Sequence, residues 1–549
     1  MKAKNFFGLL LLGCILLGGF CFAQSLELDS AAIENHTVVP QYQRKIILIP
    51  LDSRPPCVQF VAQLAEIGGF TLIIPPEELL AQSKTRADKE GLRLWLRQNA
   101  AQADSAIIAI DSLIHGGLVP SRQGLGQPSE VRAVLELLQE IKKAQPQLKI
   151  YAFNIIPRLL IADNAATIAF QADMMQYSVL SEQAKLFDNE DDLLRKEKLA
   201  EKIPEVLIHK YMRLYEENQA NNLMLLDLAK SGVLDGLIIG QDDGFPFGIA
   251  NEKKQEFLQR RLRAPELADK VIVTRGTDEV ALTLLGFLCS REFDYRPKVY
   301  VIYSDEMVKH MTMPFMPHSI QTTVEEKLRI SGAVSVTEKE QADYMLFVHA
   351  GSPLFLKYEQ AAEKLTILLT EGKPIALVDL SETFKNKETL LPYLLARKAP
   401  LTRLIAYAGW NTTSNSIGTA VTQATLHQFR KRLQPENVRL DQQNQEFILA
   451  RMIDDTYYQK KEHPLLNKKL REKQLDPNNL SEKEATEISR WLEKCLRRQK
   501  KELIRNWRSY PLEDRAGKVL RLEDVLLQVD MPWRRSFEVK LDLIGNWEK

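Results

Sequence analysis

The chain has 549 residues, of which 45% are apolar and 26% charged, and its formal net charge is +1. That length exceeds one ordinary domain and the apolar fraction is ample for a buried core, which excludes a disordered or fibrous chain and predicts two or three globular units. The near-neutral charge leaves no global argument for a nucleic-acid partner or an anionic membrane surface.

Lys2 and Lys4 precede an apolar run over 6–22, which closes at Cys21-Phe22-Ala23. This is the pattern of a secretory signal. Residues 1–23 are therefore expected to be removed, leaving a polar linker over 24–44 on an exported, periplasmic or extracellular protein with no remaining membrane span. The run is short for a bilayer span, so an uncleaved anchor is the alternative. Attachment as a lipoprotein is a second one, because Leu11-Leu12-Gly13-Cys14 loosely resembles a lipobox. Cleavage leaves Cys57, Cys289 and Cys495, which make neither a disulfide framework nor a zinc site.

From Lys45 onward apolar runs alternate with amphipathic stretches. Strands are predicted over 45–52, 70–74, 105–111, 149–154, 236–241 and 271–275. Helices follow each of them, including a long helical section over 163–230. Six strand–helix units demand a mostly parallel sheet with right-handed crossovers, either doubly wound or a partial barrel. A composition break at 291–297 divides this first α/β domain (45–295) from a second (296–432). The second has strands predicted over 298–305, 333–336, 344–349, 374–380 and 403–408, a flavodoxin-like count. Beyond 433 the chain reads as a helical C-terminal region with helices over 442–459 and 481–508. A terminal edge strand alternates from Phe537 on. The Lys/Arg surplus of the 481–508 helix reads as a solvated face, with a polyanion-binding patch as the alternative.

Parallel strands bring their carboxyl ends to one rim, where α/β folds bind ligands. On that rim fall Asp52 with Arg54, Asp111 with His115 and Arg122, Asn154 with Arg158, the pair Asp242-Asp243, and Asp278-Glu279. Any one of these acids reads as a helix cap. Their recurrence with arginines and paired acids goes beyond capping and makes them candidate substrate-binding residues. Adjacent carboxylates repel, so one of them holds its proton to higher pH and can act as a general acid. Glycoside hydrolysis divides its work between two carboxylates. Asp242 and Asp243 are thus the expected catalytic pair of a glycosidase acting on a glycan or small-molecule substrate. Their adjacency at a strand end is similar, as an arrangement only, to that of substrate-assisted hexosaminidases.

The loop from His115-Gly116-Gly117 to Arg122 exposes backbone N–H groups that can cradle an oxyanion or a hydroxyl. In Gly409-Trp410-Asn411-Thr412 with Asn415, Trp410 can stack on a sugar ring and the asparagines can bond hydroxyls; strand-to-helix capping is the structural alternative. Arg451 lies one helical turn from Asp454 and Asp455. Gly-x-Ser-x-Gly, Gly-x-Gly-x-x-Gly and His-Glu-x-x-His do not occur, which disfavours serine hydrolase, nicotinamide and zincin chemistry. No cofactor is expected. Asp52, Asp111, Asp242, Asp243 and Asp278 nonetheless leave a divalent-metal hydrolase open. A non-catalytic envelope protein closing two α/β domains on a sugar is the other alternative.

Several strings occur together: Pro50-Leu51-Asp52-Ser53-Arg54-Pro55, Gly116-Gly117-Leu118-Val119-Pro120-Ser121-Arg122, Gln241-Asp242-Asp243, Gly276-Thr277-Asp278-Glu279, Gly409-Trp410-Asn411-Thr412 with Asn415 and Gly418-Thr419, and Arg451 with Asp454-Asp455. Their combination resembles a bacterial family catalogued as domain of unknown function 4127, over about 45–543. The resemblance supports the choice of residues and implies no particular reaction.

Overall fold

The structure, a computed structural model, describes residues 44–548 apart from 84, 125, 161–166, 355–356, 514–516 and 518. The signal expected over 1–23 and the linker over 24–44, Arg44 excepted, lie outside the described residues, as does the start of the long helical section up to 166.

The first series of apolar runs forms β1 (Lys45–Ile49), β2 (Thr71–Ile73), β3 (Ser105–Ala109), β4 (Lys149–Ile156), β5 (Gly236–Gln241) and β6 (Val271–Arg275). They make an open sheet in the order β2-β1-β3-β4-β5-β6, and every neighbouring pair is parallel. The sheet does not close, so the barrel alternative falls. Side chains alternate across it. Ile47, Ile108, Ile150 and Leu237 pack under the helices on one face, and Ile46, Ile107, Phe153 and Ile238 under those on the other. Burial on both faces is why these strands read as unbroken apolar runs. The section expected to be helical over 163–230 resolves into Gln171–Phe187, Glu190–Ala200 and Glu205–Lys230.

The second series gives β7 (Lys298–Tyr303), β8 (Val334–Ser335), β9 (Tyr344–Gly351), β10 (Ile375–Ser381) and β11 (Leu404–Ala408). Its order, β11-β10-β9-β7-β8, is parallel throughout and is the flavodoxin-like order. Helix Thr413–Leu433 joins the two sheets. Its Ile417, Ala420, Val421 and Ala424 pack with β9, β10 and β11, while Leu426 and Phe429 pack with the first sheet's helices. A helix wedged in this way is buried on every side, so it shows no amphipathic stripe. Gly418 permits the closest approach, because a Cβ there would stand 2.7 Å from the Glu279 Cγ.

The C-terminal region differs from expectation. Helix Val438–Arg451 continues through wider π-helical turns at Met452–Glu462, and helices His463–Glu472 and Glu482–Ser509 follow. The latter opens with a Ser481–Glu484 capping box. Then comes a three-stranded antiparallel sheet of β12 (Leu512–Glu513), β13 (Val519–Asp530) and β14 (Lys540–Glu548). The terminal strand predicted from Phe537 is therefore the second arm of a hairpin whose first arm was not expected. A bulge between Leu522 and Asp524 explains the omission. Leu520 and Leu522 face the core in one phase, and Val525, Leu527 and Val529 in the other, so period-two alternation is broken in mid-strand. Among the described residues no helix is long and apolar enough to cross a membrane.

Candidate functional site

β5 runs straight into Asp242 and Asp243. Arg122 Nε donates to Asp242 Oδ2 at 2.7 Å, and Arg122 Nη2 stands 2.5 Å from the same oxygen. Thr277 Oγ1 and the Asp243 N–H donate to Asp242 Oδ1 at 3.1 and 2.8 Å. Burial alone would keep Asp242 neutral, but Arg122 and Arg158 outweigh it and hold the carboxyl below its ordinary range. Asp243 is half-buried and turned to the cleft. Burial, and then the neighbouring Asp242 charge, push it up to about 7. Near neutrality the pair thus holds one fixed anion and one exchangeable proton.

The second layer is the triad Asp52, Arg54 and Asp278. Arg54 Nε donates to both Asp52 oxygens at 3.0 Å, and Nη2 donates to Asp52 Oδ2 at 2.8 Å and to Asp278 Oδ1 at 2.7 Å. Asn411 Nδ2 reaches Asp278 Oδ2 at 3.3 Å. Asn411 has φ +62°, a left-handed conformation that Asn tolerates better than most residues. Its turn is fastened from behind, where Asp455 Oδ2 accepts from the Gly409 N–H at 2.8 Å. Arg451 Nη1 donates to Asp454 and Asp455 at 3.0 Å each, and its guanidinium lies 3.7 Å above the Phe60 ring. The Arg451 cluster therefore acts as a buried strut between the first sheet's helix and the Gly409 turn.

Asp242, Asp243, Arg54 and Asp278 border a cleft of about 470 Å³ at the carboxyl ends of the first sheet. Of the residues singled out by sequence, Arg54, Arg122, Arg158, Asp242, Asp243, Asp278, Asn411 and Asn415 line it. Asp52 stands directly behind Arg54. The others are spent elsewhere. Asn154 Nδ2 donates to Asn222 Oδ1 at 2.7 Å in the interior. Glu279 is paired with Lys327, Nζ to Oε1 at 2.6 Å, with both side chains fully buried. Glu279 also curls under Gly276, where a Cβ would stand 1.8 Å from its Oε1 at φ +107°; this is why that position is glycine. His115 is pushed down to about 4 by burial, then by Lys89, and stays neutral beside Gly126. Trp410 does not face the cleft; it backs Phe537, with ring centroids 6.3 Å apart.

Asp111 lies in the first turn of the short helix Ile110–Ile114, and not on the strand as expected. Its Oδ2 accepts from the Ile155 N–H at 2.9 Å, and burial pushes it up to about 7. A carboxyl raised in the folded state holds a proton that the unfolded chain releases near pH 4. Its contribution to stability therefore falls as pH rises from about 4 to 7, by at most about 1.4 kcal/mol per pH unit. Asp454 is raised to about 7 in the same way. The expected result is a protein that melts higher at pH 5 than at pH 8, with the gap narrowed by Asp111→Asn. Thermal melts of both proteins across that range check it, and an unchanged gap would show that Asp111 does not titrate in this window.

A family model described as a protein of unknown function (DUF4127) matches residues 46–542. The chain belongs to that family. Comparison with curated proteins and with solved structures finds no match for it.

Part of the cleft wall of this DUF4127 chain was not legible in sequence. Arg275, Thr277, Ser414 and Gln241 lie inside or beside motifs already noted, and they reach the cleft with them. The loop bearing Phe315 and the C-terminal loops bearing Asn478 and Trp533 do so only through tertiary packing. Trp533 Nε1 donates to Ser53 Oγ at 2.8 Å, and its ring sits 5.2 Å from the Arg54 guanidinium and 4.5 Å from that of Arg535. Arg535 is in turn held by two 2.7 Å bonds to Glu538. The Leu480 N–H donates to the Arg534 carbonyl, and the Ser536 N–H to that of Pro477, both at 2.8 Å. The β13–β14 loop and the loop before helix Glu482–Ser509 are thereby one unit. Among the described residues no group of three or more His, Cys, Asp or Glu is placed to hold a metal ion.

Proposed function

We propose that this protein is an exported glycan hydrolase, a glycosidase in which Asp243 is the proton donor and Asp242 its permanently ionised partner. The observation that carries the proposal is the charge-split carboxylate pair at the wall of a cleft lined by arginines, amides, hydroxyls and aromatic rings. Amides and hydroxyls match the polar edge of a sugar, and rings match its apolar face. Asp243 gives its proton to the glycosidic oxygen as the bond to the anomeric carbon breaks, and regains one from the water that completes hydrolysis. Asp242 is saturated by four hydrogen-bond contacts and does not attack. Its charge adds to burial in raising the Asp243 carboxyl to about 7 and offsets the positive charge developing on the sugar. Export rests on the signal-like N-terminal sequence.

The test is mass spectrometry of products from a panel of glycans and cell-wall fragments, with the chain starting at Gln24 beside an Asp242→Asn/Asp243→Asn double variant. Products made by the wild type and absent with the variant are the expected result. Products made equally by both would exclude this pair. A second reading, a binding protein that closes on a polar ligand, draws support from a cleft walled by both α/β halves and the C-terminal loops. It predicts ligand binding without any product, with or without added divalent metal.

A further inference from the structure

Two large apolar side chains that remain open to solvent, Phe315 at 40% and Phe537 at 41% exposed, line the cleft. They come from separate loops. Phe315 follows β7 in the stretch leading to helix Ile320–Ile330, and Phe537 lies between β13 and β14. Phe315 has φ +63°. This left-handed conformation is disfavoured for any residue with a Cβ, and most of all for a bulky one. The fold gains little in exchange, because the ring is not packed into a core. What holds the strained residue is a bond to the catalytic loop: the Gly244 N–H, directly after Asp242-Asp243, donates to the Phe315 carbonyl at 2.9 Å. Phe537 lies against Trp410, tilted at 60°, with the Arg535 guanidinium 5.2 Å from its ring centroid, and its exposed part meets the cleft.

An aromatic ring kept open above a polar floor, at a backbone position glycine would fill more cheaply, fits a ligand with an apolar face. A pyranose has one, because its axial C–H bonds gather on the ring faces while its hydroxyls point outward. We infer that Phe315 is a specificity-determining stacking residue, with Phe537 as a second platform, and that the site takes oligosaccharides of equatorially substituted pyranoses. This rests on the glycan reading above. The bond through Gly244 also ties the position of Phe315 to the loop carrying Asp243, so a sugar seated on Phe315 is placed relative to the proton donor.

The experiment is calorimetric titration of the Asp243→Asn protein, which binds without turnover, with cellotetraose, xylotetraose and chitotetraose. Binding of at least one is expected, about tenfold weaker after Phe315→Ala and restored to near the parent value by Phe315→Trp. Phe315→Gly relieves the backbone strain and is expected to melt no lower than the parent while also binding weakly. If the parent binds none of the three, this inference falls, while the glycan reading stands or falls by the product panel above. If the parent binds and Phe315→Ala binds equally well, this inference alone is overturned. A loss of affinity that Phe315→Trp does not restore, with melting lowered by several degrees, would overturn it too, by making Phe315 a structural residue.

Discussion

Asp243→Asn is expected to lower turnover by about 10³-fold and to leave the melting temperature nearly unchanged, because Asn keeps the shape of the side chain and removes its exchangeable proton. The pH profile carries the more specific expectation. In the proposed mechanism Asp243 must be protonated to act, and it is raised to about 7, so the wild-type rate is expected to fall as pH rises through that value. Asp242 contributes to the rise through its charge. Asp242→Asn removes that charge while leaving Arg122 and Arg158 in place, which lowers the Asp243 carboxyl toward its ordinary range. The alkaline limb of the profile therefore moves to lower pH in Asp242→Asn, with a smaller loss of peak rate than in Asp243→Asn. Initial rates on the glycan identified by product analysis, measured from pH 4 to 9, test both points. An alkaline limb that stays in place would show that Asp243 is not the titrating acid.

Arg54→Met is expected to destabilise the cleft wall strongly. Arg54 is 6% exposed and is the shared partner of Asp52 and Asp278, which are 1% and 6% exposed. Removing one member of a buried charge cluster leaves the others uncompensated, and such losses cost about 3–5 kcal/mol. Met retains most of the volume, so a cavity is a minor part of the effect. The destabilisation is expected to be relieved by acid, because burial already raises Asp278 and a protonated carboxyl needs no cation. It is also expected to shrink in the Asp52→Asn/Arg54→Met double variant, which removes one of the two stranded charges. Urea unfolding of the three proteins measures this directly. Equal midpoints for Arg54→Met and wild type would mean that the cluster contributes nothing net.

The family match and the open α/β architecture agree with what the strand-and-motif pattern led us to expect, and the reasons are local. β1, β3, β4 and β5 are buried on both faces, so each is an apolar run that ends abruptly where the chain reaches the rim. An acid or arginine after such a run is visible without knowing its neighbours. β13 was not visible, because its bulge shifts the inward phase in mid-strand. Helix Thr413–Leu433 carries no amphipathic stripe for a different reason, being buried on all sides between two sheets.

By itself the sequence determined the two sets of parallel strands, the rim on which the charged residues gather, and the adjacency of Asp242 and Asp243. All of these follow from periodicity and chain order, which are properties of neighbouring residues. Tertiary structure decided which rim residues face the cleft and which are consumed by burial. Asn154 and Glu279 resemble Asp278 in sequence position, yet their partners Asn222 and Lys327 lie 68 and 48 residues away in the chain. It also decided the split between the two carboxylates, since the Arg122 that fixes Asp242 is 120 residues away. The aromatic wall at Phe315, Trp533 and Phe537 is of the same kind. A charge is neutralised or a ring left open only by what packs against it, and that is set by the folding of distant segments onto one another.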